Sequence, residues 1–160
     1  ENLRESVGSA PVAYVMPRGV GPTEWTEDER KRIHIRRRFM LLGQTQDGMR
    51  VYDVRRALQA LEAVDGSGKR DVEGRGDAAF WALYASLFEP KIRQLRLIDL
   101  PVANREAPDL LNVSRFVRMP HVALLAADRV QQLILTGRPT NDPDWGVFRK
   151  HTKPSVVSTP

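Results

Sequence analysis

The stretch Val72-Glu73-Gly74-Arg75-Gly76-Asp77-Ala78-Ala79-Phe80-Trp81-Ala82-Leu83-Tyr84-Ala85 holds two structural signals joined by a glycine turn. On its N-terminal side a short strand is expected over roughly Lys69 to Glu73. The turn Gly74-Arg75-Gly76-Asp77 follows, with glycines where the chain must bend sharply. From Ala78 through Phe88 the residues are apolar enough for a buried helix, stopped at Glu89-Pro90. Ala78, Ala79, Ala82 and Ala85 are small, which lets that helix approach a sheet closely. Trp81, Tyr84 and Phe88 recur at spacings of three and four. That pattern fits a helix face packed into a core better than a ligand-stacking surface.

The same alternation continues on both sides. Downstream, Leu95-Arg96-Leu97-Ile98-Asp99-Leu100 reads as a strand ended by Pro101, and Val130 to Leu135 as the last clear strand, closed by Thr136-Gly137. Short helices are expected between them, around Leu110-Leu111 and Val122-Ala123-Leu124-Leu125. Upstream, Met49 to Val64 is a helix by the spacing of Val51, Val54, Leu58 and Leu61, ended by Asp65-Gly66-Ser67-Gly68. Thr26 is the expected cap of an earlier helix running from Glu27 to about Leu42. Val12-Ala13-Tyr14-Val15-Met16 reads as a buried strand stopped by Pro17 and Gly19. Strand and helix alternating at this spacing imply a three-layer α/β/α fold with a mostly parallel sheet. The domain is expected over residues 11–150, between a flexible N-terminal segment, 1–10, and a disordered tail, 151–160, rich in Ser, Thr and Pro. In such sheets chemistry sits beyond the carboxyl ends of the strands. The places to search are then Arg18 to Gly21, Gly74 to Asp77, Asp99 to Glu106 and Arg138 to Trp145.

In order and spacing these segments resemble the α/β-hydrolase superfamily. Pro17-Arg18-Gly19-Val20-Gly21 is similar to the arginine-glycine-x-glycine turn that follows an early strand there. Val72 to Ala85 resembles the strand, nucleophile elbow and helix, and Phe88-Glu89-Pro90 to Asp99-Leu100-Pro101 the next crossover. Met119 to Ala126 with Val130 to Gly137 looks like the crossover into the acid-bearing strand. The set is similar to the C-terminal half of acetyl xylan esterase-like and prolyl oligopeptidase-like proteins, over most of residues 11–148. The resemblance implies a partial α/β-hydrolase fold, and carbohydrate esters or peptides as the ancestral substrate class.

The elbow pattern is G-x-S-x-G, and Gly76 occupies the serine position. Glycine carries no nucleophile, so acyl-enzyme chemistry at this turn is impossible. Asp77 offers the amide of an oxyanion hole, although its carboxylate opposes a developing oxyanion. Asp142 and Asp144 lie where the family's acid falls, yet Asn141-Asp142-Pro143-Asp144 reads better as a capped turn than as a catalytic acid. His151 follows those acids too closely to come from a further strand and loop, and that final strand is not evident. His34 and His121 are scattered, without metal-ligand spacing. Any surviving ligand site is expected in a remnant cleft around Arg18, Gly76 and Asp142, with Arg18, Gly76 and Asp77 as the residues that would bind.

Three functions follow as expectations. The first is a degenerate, non-catalytic hydrolase-like domain that acts as a scaffold, paired with the remainder of a larger hydrolase-like chain or with a second copy. The second is an active carboxylic ester hydrolase whose nucleophile lies outside the elbow, with Ser86 and Ser114 as candidates. The third is a basic module for an anionic polymer, resting on Arg30-Lys31-Arg32-Ile33-His34-Ile35-Arg36-Arg37-Arg38 and a formal charge of +5. Glu27, Asp28 and Glu29 lie one turn earlier, so the run reads better as the solvated face of an amphipathic helix than as a binding surface. Without a base-reading motif or stacking platform an anionic polysaccharide suits it better than nucleic acid. Hydrophobic residues at 41% and charged residues at 28% place the chain among folded domains rather than disordered ones. The absence of cysteine removes disulfides and thiolate metal sites, and neither a cofactor nor a metal is expected. A soluble protein without membrane association is expected, exported if a signal has been removed from a chain that begins at Glu1.

Overall fold

A computed structural model describes residues 11–66, 68–140, 142–151 and 156–159. Its framework is a parallel sheet in the order β1-β2-β3-β4: Arg70–Arg75, Ile92–Ile98, Gln132–Thr136 and Val156–Thr159. Sequential parallel strands require crossovers, and helices fill them. Asp77–Ser86 (α3) joins β1 to β2, and Val113–Phe116 (α4) and Met119–Ala127 (α5) lie between β2 and β3. Gly146–His151 (α6) precedes β4, while Glu29–Leu41 (α1) and Gln46–Asp65 (α2) precede the sheet.

The period-two burial of the strands shows which face is covered. Ile92, Leu95 and Leu97 of β2 and Leu133 and Leu135 of β3 are buried, with Val72 and Gly74 of β1 in register beside Leu95 and Leu97. Against this face α3 packs, buried from Ala79 to Ser86, which explains why its sequence is apolar on every side. Helix α2 packs on α3 through Val51 and Val54, and α5 adds Met119, Val122, Ala123 and Ala126. The opposite face carries Asp71, Glu73 and Arg75, all exposed, and half-buried Gln94, Arg96, Ile98, Gln132, Ile134 and Thr136. A helical layer is therefore described on one face, and the fold is α/β with a parallel sheet.

Boundaries follow from caps. Asp28 rather than Thr26 closes the start of α1, its Oδ1 accepting the amides of Arg30 at 2.8 Å and Lys31 at 3.2 Å. The Thr26 hydroxyl instead accepts the Asp28 amide. Thr45 caps α2 by accepting the Gly48 amide at 2.9 Å, and α2 ends at left-handed Gly66.

Two expectations change. Val12 to Met16 forms no strand, and its large side chains are exposed, Tyr14 at 59% and Met16 at 54%. An apolar run gains strand geometry only where another strand offers a ladder, and here none does. The stretch 151–160, expected as a disordered tail, contributes His151 to α6 and Val156–Thr159 to the sheet as β4. Val156 and Val157 pair with Leu133 and Ile134, so the final strand thought to be missing is present. Residues 1–10, expected as a flexible segment, lie outside the described residues.

Candidate functional site

The chain leaves β1 at Arg75, turns at Gly76 and enters α3 at Asp77. Gly76 has φ 57° and ψ −121°, a conformation that L side chains rarely adopt and only under strain. A Cβ added there would meet nothing within 4 Å, so the position is open although its backbone is strained. Two residues earlier the constraint is different. A Cβ on Gly74 would stand 2.5 Å from the Ala78 carbonyl oxygen and 2.8 Å from the Ala79 nitrogen. Gly74 thus lets α3 double back onto its own strand. The first-turn amides of α3, from Asp77, have no helical carbonyl to meet.

The neighbouring strand ends are tied to this turn. The Gly76 amide donates to the Ile98 carbonyl at 2.9 Å, and the Asp99 amide to the Thr136 carbonyl at 3.0 Å. Asp99 itself takes a left-handed backbone, φ 52°, which aspartate tolerates better than most side chains. Its Oδ1 would lie 2.3 Å from a Cβ on Gly137, so Gly137 is small to make room for it.

Beneath the turn lies a polar network that the sequence reading did not find. Asp47 Oδ1 accepts from Trp81 Nε1 and from an Arg50 guanidinium nitrogen, both at 3.0 Å, and Asp47 Oδ2 accepts the Asp109 amide at 3.0 Å. Arg50 also donates to the carbonyls of Arg18 and Gly19, each at 3.1 Å, and sits 5.1 Å from the Trp81 ring centre. Only the i,i+3 spacing of Asp47 and Arg50 was visible in the sequence. Trp81 and Asp109 are brought in by tertiary packing. Burial, with a smaller push from Asp47, raises the pKa of Asp77 above the usual carboxylate range, and Arg50 works against the shift.

The candidate residues do not converge. Arg18 is clamped by Asp53, its Nε donating at 2.8 Å and its backbone amide at 3.0 Å. It lines an open groove of about 460 Å³ with Thr45, Met49, Tyr52 and Leu111, and neither Gly76, Asp77 nor Asp142 is among the groove's lining residues. Of the residues expected around a remnant cleft, Arg18, Gly76 and Asp142, only Arg18 lines this groove. Through Arg50, Arg18 and Asp77 are linked only indirectly. Asp142 caps the 3-10 turn Pro143–Trp145, accepting the Asp144 amide at 2.8 Å, and Asp144 is exposed. His151 sits on α6 with Nδ1 2.9 Å from the Val147 carbonyl. His34 and His121 are exposed on α1 and α5. Ser86 is fully buried and donates to the Leu83 carbonyl at 2.7 Å, which leaves no accessible nucleophile there; Ser114 is exposed on α4. Of the aromatic trio, Trp81 and Tyr84 are buried, whereas Phe88 is 56% exposed beneath the Arg55 guanidinium.

The Arg18–Asp53 pair gives a pH prediction. The hydrogen bond from Arg18 holds the Asp53 carboxyl below its ordinary value. A depressed folded-state pKa adds stability that is complete above the unfolded value and is lost as pH falls through the folded one. Asp53→Asn should therefore lower the melting temperature by a constant amount between about pH 5 and 7, with the gap closing below about pH 4. A gap that widens on acidification would contradict the assignment.

The chain matches no protein-family model, no curated protein and no solved structure. Among the described residues no helix is long and apolar enough to cross a membrane.

Proposed function

We propose that this chain is a degenerate, non-catalytic α/β-hydrolase-like domain, related to the C-terminal part of acetyl xylan esterase-like or prolyl oligopeptidase-like proteins. The observation that carries the proposal is the backbone of Gly76. A strand ends, one residue takes φ 57° and ψ −121°, and a helix begins directly. This geometry supports the reading because hydrolases of that fold present a nucleophile on a similarly sharp, strained strand-to-helix turn, and here the position carries none. The closeness of Gly74 to Ala78 and the sequential parallel order of β1 to β4 support the same reading.

A scaffolding role fits the rest of the molecule. Parallel sheets are almost always covered on both faces, and here one face of β1 to β3 carries, among the described side chains, only exposed or half-buried ones, and β1 lies at the sheet edge. The remainder of a larger hydrolase-like chain, or a second copy, would supply the third layer. Labelling with a fluorophosphonate tests the absence of a nucleophile. The folded chain should stay unlabelled, and stoichiometric labelling at any serine would overturn the proposal.

A further inference from the structure

Helix α1 stands apart from the elbow, and its charges ask for a partner of their own. None of its residues is buried. Two arginines tie it to its surroundings, Arg32 to Glu24 and Arg36 to Asp109, and Ile35, Phe39 and Met40 on that side are half-buried. Arg30, Lys31, His34, Arg37 and Arg38 fall on the other side. At about 100° per residue they fill a sector of roughly 120° and run about 12 Å along the axis. All are exposed, and among the described residues none of them makes an ion pair. No acid interrupts the stripe between Arg30 and Leu42.

We infer that this stripe binds an anionic polysaccharide. Four permanent cations held at fixed spacing on a convex surface suit an extended polymer with regular sulfate or carboxylate groups, which guanidinium groups grip in bidentate fashion. A broad anionic plane suits it less. Exposed Glu24, Glu27, Asp28 and Glu29 crowd the start of the helix, where such a plane would meet them and a single strand would not. Single-stranded nucleic acid is disfavoured because the stripe holds no Phe, Tyr or Trp platform on which successive bases could stack, only the one imidazole of His34. The nearest tryptophan, Trp25, is instead stacked on Phe39 at 5.9 Å.

The test titrates the full chain with heparin across a salt series, beside single-stranded RNA and phosphatidylserine vesicles. Counterion release from four cations gives a slope of log affinity against log salt near −3. Arg30→Gln/Arg37→Gln/Arg38→Gln should bring the slope to about −1 and weaken binding at least tenfold at low salt. Arg115→Gln/Arg129→Gln/Lys150→Gln removes the same charge from exposed positions elsewhere and should leave binding nearly unchanged. Circular dichroism checks the fold, and single Arg37→Gln, expected to reduce the slope by about 0.7, serves if the triple variant is unstable. Equal losses in the two triple variants would overturn the stripe as the site. RNA or vesicles bound as tightly as heparin would overturn the polysaccharide.

Discussion

Gly74→Ala is expected to lower stability by about 3 kcal/mol, at the upper end of ordinary overpacking. The added methyl would sit 2.5 Å from the Ala78 carbonyl oxygen, 2.7 Å from its carbon and 2.8 Å from the Ala79 nitrogen. These are backbone atoms in the first turn of α3, so no side-chain rotation relieves the contact. Either the helix start moves away from β1 or the strand end twists. Both disturb packing of α3 on the sheet, where Ala79, Phe80 and Leu83 are buried. A loss of that size should drop the melting temperature by about 6–12 °C for a chain of this length. Gly76→Ala is the matched control. Its methyl enters open space, and only the left-handed φ of 57° opposes it. It should cost about 1–2 kcal/mol. The account requires Gly74→Ala to be the more damaging of the two, and the reverse order in a thermal or urea melt would mean that strand and helix do not cross there.

Asp47→Ala should cost about 3–5 kcal/mol, because it removes one side of a largely buried ion pair and leaves the Arg50 charge uncompensated. The side chains of Arg50 and Asp47 are only 15% and 13% exposed. Without Asp47 the Trp81 indole and the Asp109 amide also lose their acceptor. Arg50 keeps its bonds to the Arg18 and Gly19 carbonyls, which holds the loss toward the lower half of that range. Asp47→Asn keeps the shape and an acceptor oxygen and should cost distinctly less. A red shift of emission in Asp47→Ala, absent when Trp81→Phe is added, would place the damage at Trp81. A double-mutant cycle with Arg50→Met should return a coupling energy above about 1 kcal/mol. Near-additive losses would show the pair to be incidental.

Local signals made much of the fold legible. Helix α2 announced itself by the spacing of Val51, Val54 and Leu58, and the Leu95 and Leu133 strands by short apolar runs followed by Pro101 and Gly137. The strand-to-helix turn at Gly74 and Gly76 was legible because its glycines are a local necessity. Where reading failed, the deciding partner was remote. Val12 to Met16 has strand composition but no strand to pair with, whereas Val156 and Val157, set in a polar, proline-flanked stretch, have the free edge of β3. Pairing outweighs composition in both cases. The Asp47 network escaped for the same reason, since Trp81 and Asp109 lie 34 and 62 residues away along the chain. Asp99 was noticed as a strand-end residue, but its left-handed backbone and its need for Gly137 emerge only when β2 and β3 lie side by side.

Hydrolysis of p-nitrophenyl acetate by the parent chain beside Gly76→Ser tests the central claim most directly, with the attached acetyl group read by mass spectrometry. The account predicts no release from the parent above the rate in buffer and no adduct on it; an acetyl group at position 76 of the variant would show a turn that lost only its nucleophile, and none would show that the activating base is missing as well. Saturable turnover by the parent would contradict it, because a chain with glycine at the elbow would then be working through a nucleophile that the account says it lacks.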